Sequence, residues 1–558
     1  MVSQLRKPAS SDESSPFTHD RRSAAGTAAH AGPSRRLLPS LVVLGILLGA
    51  APALAFGTPS LSKIGSFTNA DGSGAENTAY DPVLNRLFVT NTESNTVDVL
   101  ALRDPTVPVP LFSISAPAGT EVTDIDVRRG ILVAALASPI IGENGSVAFY
   151  AWTGALLKQI EVGVGPDEVQ FSPDGRKVVV VNSGEADFEE NPLDPTGSIN
   201  LIDLSKGLWR ASVQTVNFFQ FDGEEDALRA AGIRIRPNAA ASVDLTPEGA
   251  AFASHRELWV AFQQNNALAV IQIGKWGLEI ERLVPLGVKD HSLPGNGLDA
   301  SDRDDAINIQ NWPVFGLYTP DEIASFEVRG KTYFIITNEG DPRDIPLGDE
   351  PFQDETTRVE DLADDGLLDP DAFDPDLADR ENLGRLQVSR WEGDEDGDGD
   401  HDVLYAFGAR SFSILDHEGK LVWDSGDQFE RIVAERITTP IDEFTLFNAP
   451  VDENAFDDRS DNRGPQPEGI AIGKVGGRTY AFISLHTQGG VMAYDVSDPY
   501  DAQFVDYINT RDPGEVAGGD LGTKGLSFIR TRTGKSVIAA ACSESGTVAI
   551  YEFATHHH

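Results

Sequence analysis

The segment that decides the fold runs from Pro467 to Tyr494 and reads PEGIAIGKVGGRTYAFISLHTQGGVMAY. It contains three short β-rich runs, separated by turns that contain glycine. Glu468 stands at the start of the first run, next to a proline, and the apolar Ile472 follows four residues later. This arrangement predicts consecutive antiparallel strands, the first of which begins with an acidic residue.

The same pattern recurs along the chain: an acid near a small residue or a proline, an apolar or aromatic residue four positions later, and then a pair of strands. The copies begin at Glu76, Glu121, Asp167, Glu248, Glu322 and Glu468, and a seventh copy carries lysine at Lys524. Short strands that repeat with turn signals are typical of a β-propeller. We therefore predict an all-β fold, a seven-bladed β-propeller with long acidic loop insertions. An array of β-sandwiches is the alternative, but it would not explain why the acid recurs at one strand offset.

The N-terminal 55 residues have the pattern of an export signal. Paired arginines, Arg35-Arg36, precede a short apolar run, and the run closes on the small-residue sequence Ala53-Leu54-Ala55. We predict a signal peptide over residues 1–55, of either the Sec or the twin-arginine type. A membrane anchor is the alternative reading of the apolar run, which is short for a membrane-spanning helix.

The rest of the chain is expected to form one domain outside the cytoplasm. Residues 56–555 are predicted to be a single propeller, in which a strand near Leu61 completes the last blade, and residues 556–558 are a histidine tail. After signal cleavage no segment of membrane length follows. The protein is therefore expected to be exported to the periplasm or the extracellular space.

Composition excludes several classes of function. The chain of 558 residues has 87 acidic and 44 basic residues, a net charge of −43, so a phosphate backbone would be repelled and nucleic acid is not an expected partner. The single cysteine, Cys542, excludes an intrachain disulfide framework and a cysteine-rich metal site.

The repeat predicts where the acids lie. Antiparallel connectivity makes the innermost strand of every blade start at the same face, so the repeated acids should surround the mouth of the central channel. The predicted funnel residues are Glu76, Glu121, Asp167, Glu248, Glu322, Asp341, Glu468 and Lys524. Crowded carboxylates must take up protons, meet a cationic side chain or bind a metal ion, and oxygen ligands suit calcium or magnesium. A divalent cation in the funnel is one prediction; the alternative is that each acid only caps turn amides.

Three further residues near this face are candidate catalytic groups. His486 is the histidine expected in the funnel, and Glu339 and Arg343 follow the second strand of their blade. A lone histidine on a β scaffold is more often a packing residue than a base, so the catalytic and the structural interpretations both stay open.

A second acidic motif lies in the insertion at about residues 344–402. The loop from Asp394 to Asp402 alternates acids with glycines, as calcium loops do, and Gly399 stands at the sixth position. Position twelve is Tyr405 instead of a glutamate, and strand-like sequence follows, so the motif predicts an EF-like loop on a β-hairpin. The predicted Ca²⁺ ligands are Asp394, Asp396, Asp398, Asp400 and Asp402. A solvated acidic turn is the alternative.

These motifs together resemble a known family. The resemblance runs through Pro467-Glu468-Gly469, Asn338-Glu339-Gly340-Asp341, Gly489–Asp495, the Asp394–Asp402 loop and Leu404–Ile414. It is to the choice-of-anchor I family of exported bacterial propellers, and similar domains occur in large atypical alkaline phosphatases. A more distant similarity is to β-propeller phytases, which use a calcium-lined acidic funnel to hydrolyse phosphate esters. The resemblance implies a propeller and export, and it implies an activity only weakly.

Two functional hypotheses follow. In the first, the protein is a metal-dependent phosphoesterase: Glu76, Glu248, Glu339 and Glu468 hold divalent ions, one of which activates water, while His486 or Arg343 steadies the phosphoryl oxygens. In the second, it is a calcium-stabilised propeller that binds a small molecule, a protein or a surface partner without turnover. A quinone-dependent oxidoreductase is a third and weaker hypothesis, because no cofactor signature supports it.

Overall fold

A computed structural model describes residues 58–184, 195–275, 277–343, 355–437, 445–514 and 516–555. The predicted signal peptide, the histidine tail and the start of the acidic insertion, residues 344–354, lie outside the described residues. Strands make up most of the regular structure in the described part of the chain.

The described residues form seven four-stranded antiparallel sheets. The strands of each sheet are counted from one edge to the other, and in sheet 7 the first strand is Thr523–Arg530 and the fourth is Pro59–Thr68. The sheets are numbered in the chain order of these first strands. Sheets 1 to 3 comprise Ala75–Asp81, Arg86–Asn91, Thr96–Ala101 and Val109–Ser115; Glu121–Arg128, Ile131–Ala137, Asn144–Ala151 and Leu156–Val164; and Pro166–Phe171, Lys177–Asn182, Ser198–Asp203 and Ser212–Asn217. Sheets 4 and 5 comprise Ala250–Ser254, Glu257–Phe262, Ala267–Ile273 and Leu278–Pro285; and Pro320–Val328, Lys331–Asn338, Ser411–Leu415 and Leu421–Asp424. Sheets 6 and 7 comprise Pro467–Val475, Arg478–Leu485, Val491–Asp495 and Gln503–Ile508; and Thr523–Arg530, Ser536–Cys542, Thr547–Thr555 and Pro59–Thr68.

The central residues of the second strands are apolar because both faces of these strands are buried. In Lys177–Asn182, Val178 and Val180 pack against sheet 2. Val179 and Val181 point to the other face and pack against sheet 4. Side chains alternate between the two faces of a strand, so a strand with a sheet on either side needs an unbroken run of apolar residues.

The sheets pack in a closed cycle. Separate hydrophobic cores join sheets 1 and 2, 2 and 3, 3 and 4, 4 and 5, 5 and 6, 6 and 7, and finally 7 and 1. The strand Pro59–Thr68 pairs antiparallel with Thr547–Thr555, so the two ends of the domain share sheet 7. The predicted all-β propeller and its closure by the strand near Leu61 are confirmed.

The acidic insertion lies between the second and third strands of sheet 5, and its described part is folded. Its strands Thr356–Arg358, Gln387–Ser389 and Tyr405–Phe407 join Val288–Asp290 and Phe315–Leu317 in a five-stranded mixed sheet. This module has a hydrophobic core of its own, which includes Trp312, Leu362, Phe373 and Leu386. Apolar burial holds the described part of the insertion in this fold.

The remaining regular elements are short. The α-helices are Glu225–Ala230, Ala241–Asp244, Val359–Asp364 and Gln428–Arg436, and the 3₁₀ helices are Leu208–Arg210, Phe219–Phe221 and Pro375–Ala378. Arg511–Asp512 and Gly518–Gly519 form a two-stranded ribbon.

Candidate functional site

The first strands carry a repeated β-bulge. In six of the seven sheets the pairing with the second strand shifts near the start of the first strand. We call the residue that directly follows the last paired residue before the shift the channel position, and the next residue the contact position. The channel positions are Glu76, Thr123, Asp167, Asp321, Glu468 and Lys524, and the contact positions are Asn77, Asp124, Glu168, Glu322, Gly469 and Gly525. In sheet 4 the matching residues by sequence are Glu248 and Gly249.

Residues from the start of all seven first strands line a single cavity of about 860 Å³. Every channel-position and contact-position residue lines it. The structure therefore brings Glu76, Glu121, Asp167, Glu248, Glu322, Glu468 and Lys524 together, as the repeat predicted. Glu339, Asp341, Arg343 and His486 are not among the residues that line this cavity.

The bulge changes which acids are equivalent. In sheet 5 the counterpart of Glu468 is Asp321, one residue before the predicted Glu322. In sheet 2 the counterpart is Thr123, two residues after the predicted Glu121. The residue spacing of the sequence pattern cannot reveal an extra residue in a strand. The repeated sequence Pro-Asp-Glu, at residues 166–168 and 320–322, was the available signal.

The acids at contact positions bond to the backbone of the next sheet. Asp124 accepts a hydrogen bond from the backbone N–H of Val169 at 2.9 Å. Glu322 accepts one from the N–H of Ile470 at 2.6 Å, and Glu168 accepts one from the N–H of Ala250. These carboxylates join neighbouring sheets, so the structural interpretation holds for Glu322 and for the two acids that the pattern missed.

At two further contact positions, Gly469 and Gly525, glycine is required by space. A Cβ atom on Gly469 would lie 2.3 Å from the carbonyl oxygen of Lys524, and one on Gly525 would lie 2.6 Å from that of Glu76. In both cases the obstacle is the channel-position carbonyl of the next sheet. The contact position therefore holds either a side chain that bonds to the next sheet or no side chain at all.

One side of the cavity carries a small charged cluster. The Lys524 ammonium lies 3.4 Å from Glu468 Oε1, and His486 Nδ1 lies 3.5 Å from Glu468 Oε2. The Glu468 carboxylate raises the pKa of Lys524. Burial, followed by the charge of Lys524, lowers the pKa of His486 to about 3. His486 is therefore a neutral imidazole at ordinary pH, and Lys524 carries the positive charge.

Glu339 lies next to this cluster but is enclosed. Its carboxylate accepts hydrogen bonds from Gln263 and, at 2.6 Å, from Gln466 Nε2. Arg463 lies 3.7 Å from Glu339 Oε1 and pairs with Asp341. Burial and the charge of Glu468 raise the pKa of Glu339. The side chain is 6% exposed, so it has little access to a ligand.

Arg343 has a different role from the one predicted. Its guanidinium is 3% exposed, and it pairs with Asp244 at 2.7 Å and with Glu355 at 3.0 Å. Glu355 is also paired with Arg234, so the group is a buried ion-pair network between the insertion and the segment that precedes sheet 4. An arginine whose donors already bond to buried carboxylates is not free to hold phosphoryl oxygens.

Burial and the repulsion between neighbouring carboxylates disfavour the ionised form of several acids in the cavity. Burial, reinforced by the charges of Glu339 and Glu468, raises the pKa of Asp321. Burial raises the pKa of Glu322 to about 8 and that of Asp124 to about 7, although backbone N–H donors oppose both shifts. A positive ligand in this cavity would relieve the mutual repulsion of these carboxylates.

The Asp394–Asp402 loop is exposed and organised by its own backbone. Carboxylate oxygens of Asp394, Asp396 and Asp398 lie within 4.8 Å of one another. Asp394 accepts hydrogen bonds from the N–H groups of Gly397, at 2.7 Å, and Gly399, at 3.1 Å. The charge of Asp398 raises the pKa of Asp396. Three of the five predicted ligands thus meet at one point, with the hard oxygen donors that calcium prefers.

The comparison with protein families identifies this architecture. A family model for the choice-of-anchor I domain matches residues 76–499, which is more than half of the chain. The chain belongs to the choice-of-anchor I family. A choice-of-anchor domain indicates a surface-associated protein. Among the helices in the described part of the chain, none combines the length and apolar character needed to cross a bilayer.

Individual relatives are distant. Gigasin-3a from Magallana gigas is 26% identical over 183 residues, which covers 30% of this chain and 64% of that protein, less than two thirds of its length. A streptogramin B lyase structure matches with 10% identity and a TM-score of 0.42, covering 89% of this chain and 98% of that chain. The Cps50 (Swd1) β-propeller domain of Myceliophteria thermophila matches with 8% identity and a TM-score of 0.41, covering 88% and 99%. Because both TM-scores are low, it is the pairing and packing of its own sheets that define the architecture of this choice-of-anchor I protein.

Proposed function

We propose that this choice-of-anchor I protein is an exported, calcium-binding propeller whose acidic cavity binds a cationic ligand, in the first instance a divalent cation, without chemical turnover. The observation that carries the proposal is the meeting of Glu76, Asp167, Glu248, Asp321 and Glu468 in one cavity. Lys524 is the single basic side chain among the residues known to line it. Five carboxylates against one ammonium favour a ligand that brings positive charge.

The phosphoesterase hypothesis fits the geometry less well. Phosphate binding requires free cationic groups, and Arg343 is already paired with two buried carboxylates. A general base is most effective when its pKa is near the working pH, whereas the pKa of His486 is lowered to about 3. Metal ions would have to supply both the positive charge and the activated water.

Calcium titration of the cavity variants tests the proposal. We expect Glu76→Gln/Glu468→Gln to weaken calcium binding by isothermal titration calorimetry on the order of 10-fold or more, because each substitution removes a negative charge from the cavity. Glu279→Gln, at an exposed position on the fourth strand of sheet 4, is the matched control and should bind as the wild type does. Unchanged affinity in the double variant would refute the cavity site. Metal-dependent turnover of p-nitrophenyl phosphate or a phosphodiester would show that the protein is a catalyst and would refute this part of the proposal.

The Asp394–Asp402 loop is the proposed structural calcium site, because three carboxylates there converge in solvent. We expect Asp396→Ala to lower the Tm by a few degrees in calcium and to leave it unchanged in chelator, because the substitution removes a ligand and no packing. Asp371→Ala, an exposed acid in the same insertion, is the control and should leave the calcium response intact. An equal Tm increase by calcium in Asp396→Ala and the wild type would exclude this site.

A further inference from the structure

A second group of buried acids lies away from the channel, where three segments around sheets 4 to 6 meet. Asp299 comes from the connection between sheets 4 and 5, Glu430 from the helix Gln428–Arg436, and Asp457 from the segment before sheet 6. Their exposed fractions are 0%, 2% and 2%. None of the three belongs to the repeated pattern or to the Asp394–Asp402 loop.

Glu430 is fully satisfied by protein groups. Its Oε1 accepts hydrogen bonds from Arg410 at 2.6 Å and from the Asn448 side chain at 3.0 Å. Its Oε2 accepts one from the backbone N–H of Asp299 at 3.0 Å. Arg410, 4% exposed, thus neutralises Glu430, and the charges of Asp299 and Asp457 remain.

Three oxygens of this group have no hydrogen-bond partner. They are Asp299 Oδ1, Asp457 Oδ2 and Asn448 Oδ1, and all are buried. The Asn448 amide belongs to the cluster, because its Nδ2 donates to Glu430 and to Ser460 Oγ, while the Ser460 hydroxyl donates to Asp457. Buried polar atoms nearly always have a partner, so three unpartnered acceptors within one hydrogen-bonded network indicate a ligand.

A positively charged ligand suits these unpartnered oxygens, because the group is acidic. The three acids and Arg410 carry formal charges of −3 and +1, so the buried group has a net charge of about −2 when ionised. Burial and the charge of Glu430 raise the pKa of Asp299 to about 8. Burial and the charge of Asp299 raise the pKa of Asp457 to about 9. Two carboxylates and an amide carbonyl are hard oxygen ligands of the kind that calcium prefers.

We propose that Asp299, Asp457 and Asn448 bind a divalent cation, calcium by their chemistry, at a site separate from the channel and from the Asp394–Asp402 loop. The ion neutralises the buried charge and joins the connection before sheet 5 to the segment before sheet 6. That second segment continues to Arg463 and Gln466, which hold Glu339 beside the cavity. The site therefore holds the segment that carries Arg463 and Gln466, the two residues that contact Glu339.

The experiment counts bound calcium by equilibrium dialysis in the Asp396→Ala background, which lacks the proposed loop site. We expect Asp299→Asn or Asp457→Asn to remove one further calcium per chain and to reduce the remaining Tm increase by calcium. Asparagine keeps the size of each side chain, and it tolerates the positive φ of 67° at Asp457. An unchanged calcium count in a folded variant would overturn the proposal.

Two controls separate this site from the others. Asp427→Asn alters a buried acid that pairs with Arg431, and it should keep the calcium count of its background. The triple variant Asp396→Ala/Glu76→Gln/Glu468→Gln leaves the buried cluster intact and should retain one tightly bound calcium. If that triple variant binds none, the buried carboxyls carry protons instead of a cation and the proposal is wrong. This outcome does not depend on whether the cluster variants fold.

Discussion

The channel and contact positions are neighbours in the same bulge, yet they have opposite requirements. Channel positions accept Glu, Asp, Thr or Lys, and these side chains share a cavity of about 860 Å³. Contact positions hold Asn, Asp, Glu or Gly, and their surroundings include the backbone of the next sheet. The channel position is thus governed by charge and the contact position by space and hydrogen bonding. One bulge can therefore serve a binding cavity and the packing of the ring at once.

Two hydroxyl groups of the second strands hold the backbone at the channel and contact positions. Thr337 Oγ1 accepts from the N–H of Glu322 at 3.2 Å and donates to the carbonyl of Glu468 at 2.6 Å. Ser484 Oγ accepts from the N–H of Gly469 at 2.7 Å and donates to the carbonyl of Lys524 at 2.7 Å. Each hydroxyl bridges one contact position to the next channel position, so the backbone geometry holds whatever the channel side chain is.

The largest effect is expected at a contact position without a side chain. Gly469→Ala should lower the free energy of unfolding by about 2–3 kcal/mol, because its Cβ would lie 2.3 Å from the carbonyl of Lys524 and the backbone must move. Chemical denaturation measures this. Gly518→Ala, whose Cβ would meet Asp512 at an ordinary 3.7 Å, is the control. Equal stability of the two variants would contradict the spatial requirement.

A smaller effect, visible as a pH dependence, is expected at Asp124. Burial raises its pKa to about 7, so the folded state binds this proton more tightly than the unfolded state and stability falls as pH rises from about 4 to 7. Asp124→Asn should flatten that part of the Tm profile while its side-chain oxygen still accepts from Val169. Calorimetry across this range measures the slope, and a slope as steep as in the wild type would contradict the assignment.

An acid with the opposite shift provides the control for Asp124. The backbone N–H of Arg176 and the Ser172 hydroxyl bond to Asp174 and lower its pKa. Its contribution to stability is therefore present above about pH 4 and lost as pH falls further. Asp174→Asn should change the Tm profile only at the acidic end.

The smallest effect on stability is expected at a channel position. Lys524→Met should lower the free energy of unfolding without calcium by less than about 1 kcal/mol, because the pair with Glu468 is partly exposed. It should tighten calcium binding on the order of 3- to 10-fold, because a positive charge leaves the cavity. Titration calorimetry measures the change, with Lys535→Met, which breaks an exposed pair with Glu552, as control. Weaker calcium binding would argue against a cation site.

The sequence alone was sufficient for the fold class. In strand-like runs such as Lys177–Asn182 the central residues are all apolar because both faces are buried, and their recurrence predicts a propeller. The sequence also predicted that the repeated acids lie close together, because the same local pattern recurs near the start of the first strands, and these residues line one cavity. These signals are local and occur several times along the chain. Each copy therefore supports the same prediction independently.

Only the tertiary structure decided which acid does what. The bulge shifts the channel position from Glu322 to Asp321, and a bulge depends on pairing between strands, which residue spacing does not encode. The burial of Arg343 against Asp244 and Glu355 joins residues about 100 and 12 positions apart, so it too is invisible to a local pattern. The cluster of Asp299, Glu430 and Asp457 comes from three distant segments with no shared motif. Local backbone preferences repeat along a chain, whereas charge, burial and partners are properties of the assembled molecule.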